Sequence, residues 1–200
     1  MTGYVAVEGV EGAGKSTVVA ALADHWRREG REVVTIREPG GTDTGERIRD
    51  ILLHGGDLAP WSEALLFAAQ RVQLAADVIT PALERGAVVL GDRSVYSSLA
   101  YQGVGRGLGL DAVTAINRAG LGDVWPDTVV LLRIDADEGL ARQTVTDRIG
   151  AAGRAFARTV ATAFDQLAAA EPDRFVVVDV AGLDAHRVTE AVLAAMGERR

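Results

Sequence analysis

Lys15 is the only lysine in the chain; the other twenty of its twenty-one basic residues are arginines. It lies in the run Gly9, Val10, Glu11, Gly12, Ala13, Gly14, Lys15, Ser16, Thr17. Gly9, Gly14, Lys15 and Ser16 satisfy the spacing G-x-x-x-x-G-K-[ST], in which backbone N–H groups wrap a polyphosphate and the lysine reaches its terminal phosphates. A compact ammonium on a flexible stem can follow a phosphoryl group in transfer, whereas a planar guanidinium prefers fixed two-point contacts. The hydroxyl of Ser16 is the type that ligates Mg²⁺ in such loops, so Mg²⁺ with ATP is the expected pair. Asp92 closes an apolar run and Arg93 follows it. A carboxylate there faces the metal directly or through water, and the guanidinium suits a phosphate; the plainer alternative is a strand-end ion pair.

The elements that must position these groups alternate along the chain. Tyr4 to Glu8, Val33 to Arg37, Ala87 to Asp92, Thr128 to Ile134 and Phe175 to Asp179 read as strands buried on both faces. Val18 to Arg28, Trp61 to Glu84 and Arg187 to Met196 carry apolar residues three and four apart and read as covering helices. Repeated crossovers of that length predict an α/β fold, a five-stranded parallel sheet flanked by helices of the P-loop NTPase type, with ligands outside the carboxyl ends of the strands. The phosphate loop, EPGGT after the second strand, DRS after the third and AGLD after the last all fall at such ends. Gly103 to Gly109 reads as a flexible connection and Glu198 to Arg200 as a frayed end.

With 200 residues, 48% hydrophobic and 24% charged, the whole of 1–200 is expected to form a single domain with a real core. A net charge of −7 argues against a surface that coats a nucleic-acid polymer and favours small nucleotides held in a site. The absence of cysteine excludes a cysteine nucleophile, a thiolate metal cage and a disulfide framework, and fits a reducing cytoplasm. YVAVE stands so near the first residue that no export leader is expected, and apolar runs such as Val176 to Val178 are too short for a membrane span.

A phosphate loop alone covers kinases, ATPases and switches. Further motifs narrow the field: EGVEGAGKST at Glu8 to Thr17, REPGGT at Arg37 to Thr42, GERIRDILL at Gly45 to Leu53, EALLFAAQR at Glu63 to Arg71 and DRSVYSSLAYQG at Asp92 to Gly103. In this order, from Val5 to about Asp179, the chain resembles the thymidylate kinases, bacterial type with basic residues in the lid. The resemblance implies ATP-dependent phosphorylation of dTMP to dTDP with Mg²⁺, and a homodimer. It places Phe67 flat against the thymine and Arg71 at its edge, although on pattern alone Phe67 in LLFAA reads as core. Ser98 matches a base contact, Tyr101 a ring crowding the sugar 2′ position and Gln102 a neighbouring polar contact; otherwise the serines read as helix caps and Tyr101 as a packed ring. Glu11 matches an acid that contacts the acceptor 3′-hydroxyl, Pro39 a rigid loop that often carries a cis bond beside the acceptor phosphate, and Arg49 either a helper there or a surface helix position.

Because the phosphate loop lacks a basic residue in its middle, the resemblance calls for an arginine-bearing lid at about 145–158, VTDRIGAAGRAFAR. Arg148 matches an Asp-Arg-Ile-Glu pattern, with Gly150 in place of the acid, and Arg154 and Arg158 lie one helical turn apart. Lys15, Arg93 and Arg148 are the expected catalytic charges, Ser16 and Asp92 the metal ligands, and Arg154 a further ATP contact. Ser94 stands where Tyr is usual and Leu74 where His is frequent, departures expected to reshape the acceptor pocket or its closing motion. Gly182 and Leu183 are expected neighbours of adenine, and the helical faces of Trp61 to Glu84 and near Asp111 to Ala119 candidate dimer contacts. Rival readings are a kinase with another pyrimidine nucleotide or a nucleoside as acceptor, a nucleotide-dependent switch or ATPase, and a silent nucleotide-binding module.

Overall fold

The structure, a computed structural model, describes residues 3–142 and 148–197. Five strands form one all-parallel sheet in the order β2-β3-β1-β4-β5: β1 (Gly3–Glu8), β2 (Val33–Arg37), β3 (Val88–Asp92), β4 (Thr128–Arg133) and β5 (Phe175–Asp179). Their valine-rich sequences suit strands covered on both faces, and Val7, Val89, Leu90, Val129 and Val130 are fully buried. β1 sits between β3 and β4, with Val5 level with Leu90 on one side and Thr128 on the other. The chain direction of the connections reverses there, so the crevice beyond the end of β1 is the topological switch point of the sheet.

Helices cover both faces: α1 (Lys15–Arg28), α2 (Asp43–His54), α3 (Pro60–Leu74), α4 (Thr80–Glu84), α5 (Val95–Ser98), α6 (Leu110–Leu121), α7 (Ala136–Arg142), α8 (Arg154–Ala170) and α9 (Ala185–Gly197). Val18, Leu22 and Trp26 at four-residue spacing bury one stripe of α1, and Ala157, Val160, Phe164 and Leu167 do so for α8. Trp61 to Glu84 is helical throughout, as expected, but not α-helical throughout. A π-helical turn at Ala75–Ile79 separates α3 from α4, and the Thr80 N–H bonds back to the Ala75 carbonyl. The cause is Pro81, which has no N–H to donate and whose ring crowds the carbonyl one turn earlier, so the helix widens before it.

A second π-helical run, Leu99–Gly105, extends α5. Gly103 is thus a buried helical residue rather than the start of a flexible connection. Within the lid segment, Val145, Thr146 and Asp147 lie outside the described residues, as does the Glu198–Arg200 end. Gly150–Ala152 forms a 3₁₀ turn before α8.

Candidate active site

The loop between β1 and α1 is held close to the sheet by Val10 and Ala13, both buried. Gly14 precedes α1 with φ 92° and no side-chain cap, which leaves the first N–H groups of the helix open to an anion. Gly12 has φ 75°, and a Cβ there would fall 2.0 Å from the Gly139 carbonyl oxygen of α7, so only glycine lets these two backbones meet. Lys15 folds over the loop, its Nζ donating to the carbonyls of Gly9 at 3.0 Å and Val10 at 2.8 Å. Burial, then the nearby Arg93, push its pKa down to about 8, against the pull of Glu11, Asp92 and Glu8.

Ser16 donates its hydroxyl to Asp92 Oδ2 at 2.5 Å, so the expected metal ligands meet at the mouth of the loop. A hydroxyl and a carboxylate are hard oxygen donors and suit Mg²⁺. Among the described residues no group of three or more His, Cys, Asp or Glu could hold a metal, so a Mg²⁺ bound by Ser16 and Asp92 would need substrate oxygens and water to complete its shell. Thr17 is exposed one position further into α1.

Arg93 follows β3 with φ 74°, the one non-glycine in the left-handed region among the described residues. Its Nη2 donates to Glu11 at 3.0 Å, and its Nη1 reaches Ser97 Oγ at 3.2 Å and the Tyr101 hydroxyl at 3.4 Å. Tyr101 donates to Glu11 at 2.8 Å, and the guanidinium stands 5.2 Å from its ring centroid. Burial alone would raise the Glu11 pKa, but Arg93, Lys15 and the Tyr101 hydroxyl together hold it below the usual range. Burial acts the other way on Arg93, where Tyr101, Glu11, Glu8 and Asp92 prevail and raise its pKa further.

These groups border a cavity of about 330 Å³ whose wall also includes Pro39, Arg49, Phe67, Ser98 and Gln102. Phe67, 8% exposed, belongs to the buried core cluster and also forms part of that wall from α3. The Glu38–Pro39 peptide is cis, and Arg49 donates to the Pro39 carbonyl at 2.7 Å, which fixes the α2 arginine to the REPGGT loop. Gln102 donates to the buried Glu63 at 2.8 Å.

Not every expected residue reaches the cavity. Arg71 is buried away from its lining, bonded to Glu38 at 2.5 Å, Asn117 at 2.6 Å and Ser98 Oγ at 3.1 Å. Arg148 is also absent from the lining: Glu63 at 2.8 Å and the Leu52 carbonyl at 2.9 Å hold it, while the next residue, Ile149, does line the cavity. Arg154 is exposed at the start of α8, and Arg158 is bonded to Asp137. Ser94 and Leu74 are fully buried and do not border the cavity, so neither departure reshapes its wall directly. Gly182 and Leu183 lie off the cavity too. Sequence reasoning missed Glu8, Glu38, Glu63, Ser97 and Asn117. Glu63 had a signal, a carboxylate set among the apolar residues of EALLFAA, and so had Glu8 at the end of an apolar strand.

A phosphate loop at the switch point, an Asp-Arg pair ending the neighbouring strand and a second polar wall across one cavity define a P-loop kinase of the nucleoside-monophosphate type. The thymidylate kinase family model matches residues 7–191. Thymidylate kinase of Pseudomonas fluorescens is 45% identical over 207 residues, covering 100% of this chain and 99% of its own, and that of Clavibacter sepedonicus is 47% identical over 187 residues, covering 90% and 88%. The crystal structure of thymidylate kinase from Ehrlichia chaffeensis superposes with a TM-score of 0.81 at 28% identity over 98% of both chains. The chain belongs to the thymidylate kinase family.

Proposed function

We propose that the protein transfers the γ-phosphoryl group of ATP to dTMP, giving dTDP and ADP. The observation that carries this reading is one cavity bordered by Lys15 of the phosphate loop, Phe67 of α3 and Arg93 after β3. An oxygen of the dTMP phosphate attacks the γ-phosphorus as its bond to the β,γ-bridging oxygen breaks and ADP leaves; no covalent enzyme intermediate is needed. The work of the protein is alignment and charge neutralisation. Lys15, Arg93 and a lid arginine from Arg148, Arg154 or Arg158 take the phosphate charge. Phe67 supplies an aromatic face for the base, Ser98 and Gln102 polar contacts, Pro39 and Arg49 a border for the acceptor phosphate, and Tyr101 with Glu11 a contact for the sugar. Arg71, which donates directly to Ser98 Oγ and is fixed by Glu38, would turn from that network to reach the base edge.

Ser16 and Asp92 would hold Mg²⁺, which when bound neutralises charge on the donor oxygens. Arg148 closes over the phosphates only by leaving Glu63, so its departure is the motion that this assignment requires. A homodimer is part of the reading, supported by Trp61 and Leu65, which stand 43% and 52% exposed on α3. Among the described residues no helix is long and apolar enough to cross a membrane, and a cytoplasmic site of action is proposed because the reaction consumes ATP. The test is acceptor profiling. Purified protein with Mg-ATP should convert dTMP to dTDP faster than any other nucleoside monophosphate, and failure to form dTDP would overturn the reading.

A further inference from the structure

The end of β1 carries a buried carboxylate that the proposed chemistry leaves unused. Glu8 has no exposed surface, and none of its hydrogen bonds comes from a cation: Oε1 accepts from Ser94 Oγ at 2.7 Å and from the Ser97 N–H at 3.1 Å, and Oε2 accepts from Ser97 Oγ at 2.6 Å. Burial raises its pKa, and Arg93 is the largest influence opposing that rise. Such a group is costly in a core, and the strand before it, Tyr4 to Val7, is apolar throughout. Stability alone would place another apolar side chain there.

Each serine hydroxyl has a single proton. Ser97 commits its proton to Glu8, so the side of Oγ that faces Arg93 Nη1, 3.2 Å away, carries lone pairs and can only accept. Ser94 commits its proton likewise, which leaves its oxygen free to accept from the Tyr96 N–H and set the start of α5. The Arg93 backbone N–H is bonded to the Val7 carbonyl at 3.0 Å, so β1 fixes this residue at its main chain and, through Ser97, at its guanidinium. The left-handed φ of 74° holds only where surroundings over-determine it.

We propose that Glu8 is a positioning residue for the phosphoryl transfer: by orienting the Ser94 and Ser97 hydroxyls it aims the Arg93 guanidinium into the nucleotide cavity. The inference rests on the kinase reading and on the role of Arg93 within it. Glu8→Gln keeps the shape, and because the Ser97 N–H requires the amide oxygen at the Oε1 position, the new NH₂ falls against Ser97 Oγ and displaces that hydroxyl proton toward Arg93, setting donor against donor.

The test is a double-mutant cycle read in kcat and in KM for ATP and dTMP. Glu8→Gln should lower kcat about tenfold or more, the scale of a lost charge-assisted hydrogen bond, and change either KM less than about threefold. Ser97→Ala, which keeps the Glu8 charge, should show the same split. The pair combined should fall within about threefold of the slower single variant, because both break one relay. A wild-type kcat in Glu8→Gln with only a lower melting temperature, or losses that multiply in the double variant, would overturn the proposal. Should Glu8→Gln not fold, Ser97→Ala decides alone, and a wild-type kcat there overturns it. Failure of the parent reading shows differently: a wild-type protein that forms no dTDP, or an Arg93→Ala variant with full kcat, removes the kinase assignment or the Arg93 role and this inference with it.

Discussion

Gly139→Ala is the perturbation that most sharply separates folding from function here. A glycine inside a helix ordinarily costs about 0.5–1 kcal/mol relative to alanine, so by propensity the substitution should stabilise α7. The structure opposes that gain. A Cβ at Gly139 would lie 2.5 Å from the carbonyl oxygen of Glu11 and 3.3 Å from Val10 Cγ2, both in the phosphate loop. Restoring ordinary contact demands a shift of about 0.5 Å or more, and the near neighbour is backbone, which has no rotamer to give. The Glu11 side chain is bonded to Arg93 and Tyr101, so moving its peptide disturbs the charge cluster as well as the phosphate cradle. Misplacement of this order costs about 10-fold to 100-fold in kcat/KM when positioning dominates catalysis. Steady-state rates with ATP varied at saturating dTMP, beside thermal melts, give both readouts. The expected result is kcat/KM for ATP lowered about tenfold or more with a melting temperature within about 4 °C of wild type, the scale of 1 kcal/mol for a chain of this size. A raised melting temperature with unchanged kcat/KM would show that α7 yields instead, refuting the claim that this contact sets the loop.

Phe67→Ala should raise KM for dTMP about 5-fold to 150-fold, the range of a lost base–aromatic stack of about 1–3 kcal/mol, and leave KM for ATP within about twofold; initial rates with each substrate varied check this. Glu63, 1% exposed, would be raised by burial, but hydrogen bonds from Arg106, Gln102 and Arg148 hold its pKa below the usual range. The stability it lends is therefore fully present above the ordinary carboxylate range and lost as pH falls through its depressed folded-state value. Glu63→Gln should be less stable by about 2–3 kcal/mol near neutrality, with the gap narrowing as pH falls below the ordinary carboxylate range; melts across pH measure it, and a constant gap would refute the linkage. Asp92→Asn should raise the Mg²⁺ concentration for half-maximal rate about tenfold, measured by metal titration at fixed ATP, and an unchanged requirement would remove Asp92 from the metal site.

The sheet was legible because its strands are short, β-branched and set apart by glycine-rich loops; all five fall within a residue of the positions expected from the pattern. The phosphate loop was legible because it is local. What sequence left hidden is pairing at a distance. Arg71 reads as a cation on the same helix face as Phe67, yet Glu38, thirty-three residues away, holds it out of the cavity wall. Arg148 reads as a lid charge, yet Glu63 holds it across eighty-five residues. Periodicity also overran a local rule at Pro81, where the apolar spacing of Trp61 to Glu84 continues through a π-helical turn. Phe67 shows the limit from the other side, since a residue nine-tenths covered satisfies the pattern for core while still forming part of a cavity wall.

The most direct measurement follows the γ-phosphoryl group itself. Protein incubated with γ-labelled Mg-ATP and dTMP, with products separated by chromatography, should place the label in dTDP, and release inorganic phosphate only slowly when dTMP is omitted. Label appearing in inorganic phosphate at the same rate with and without dTMP would contradict the account, because the cavity would then pass the group to water and not to a second nucleotide.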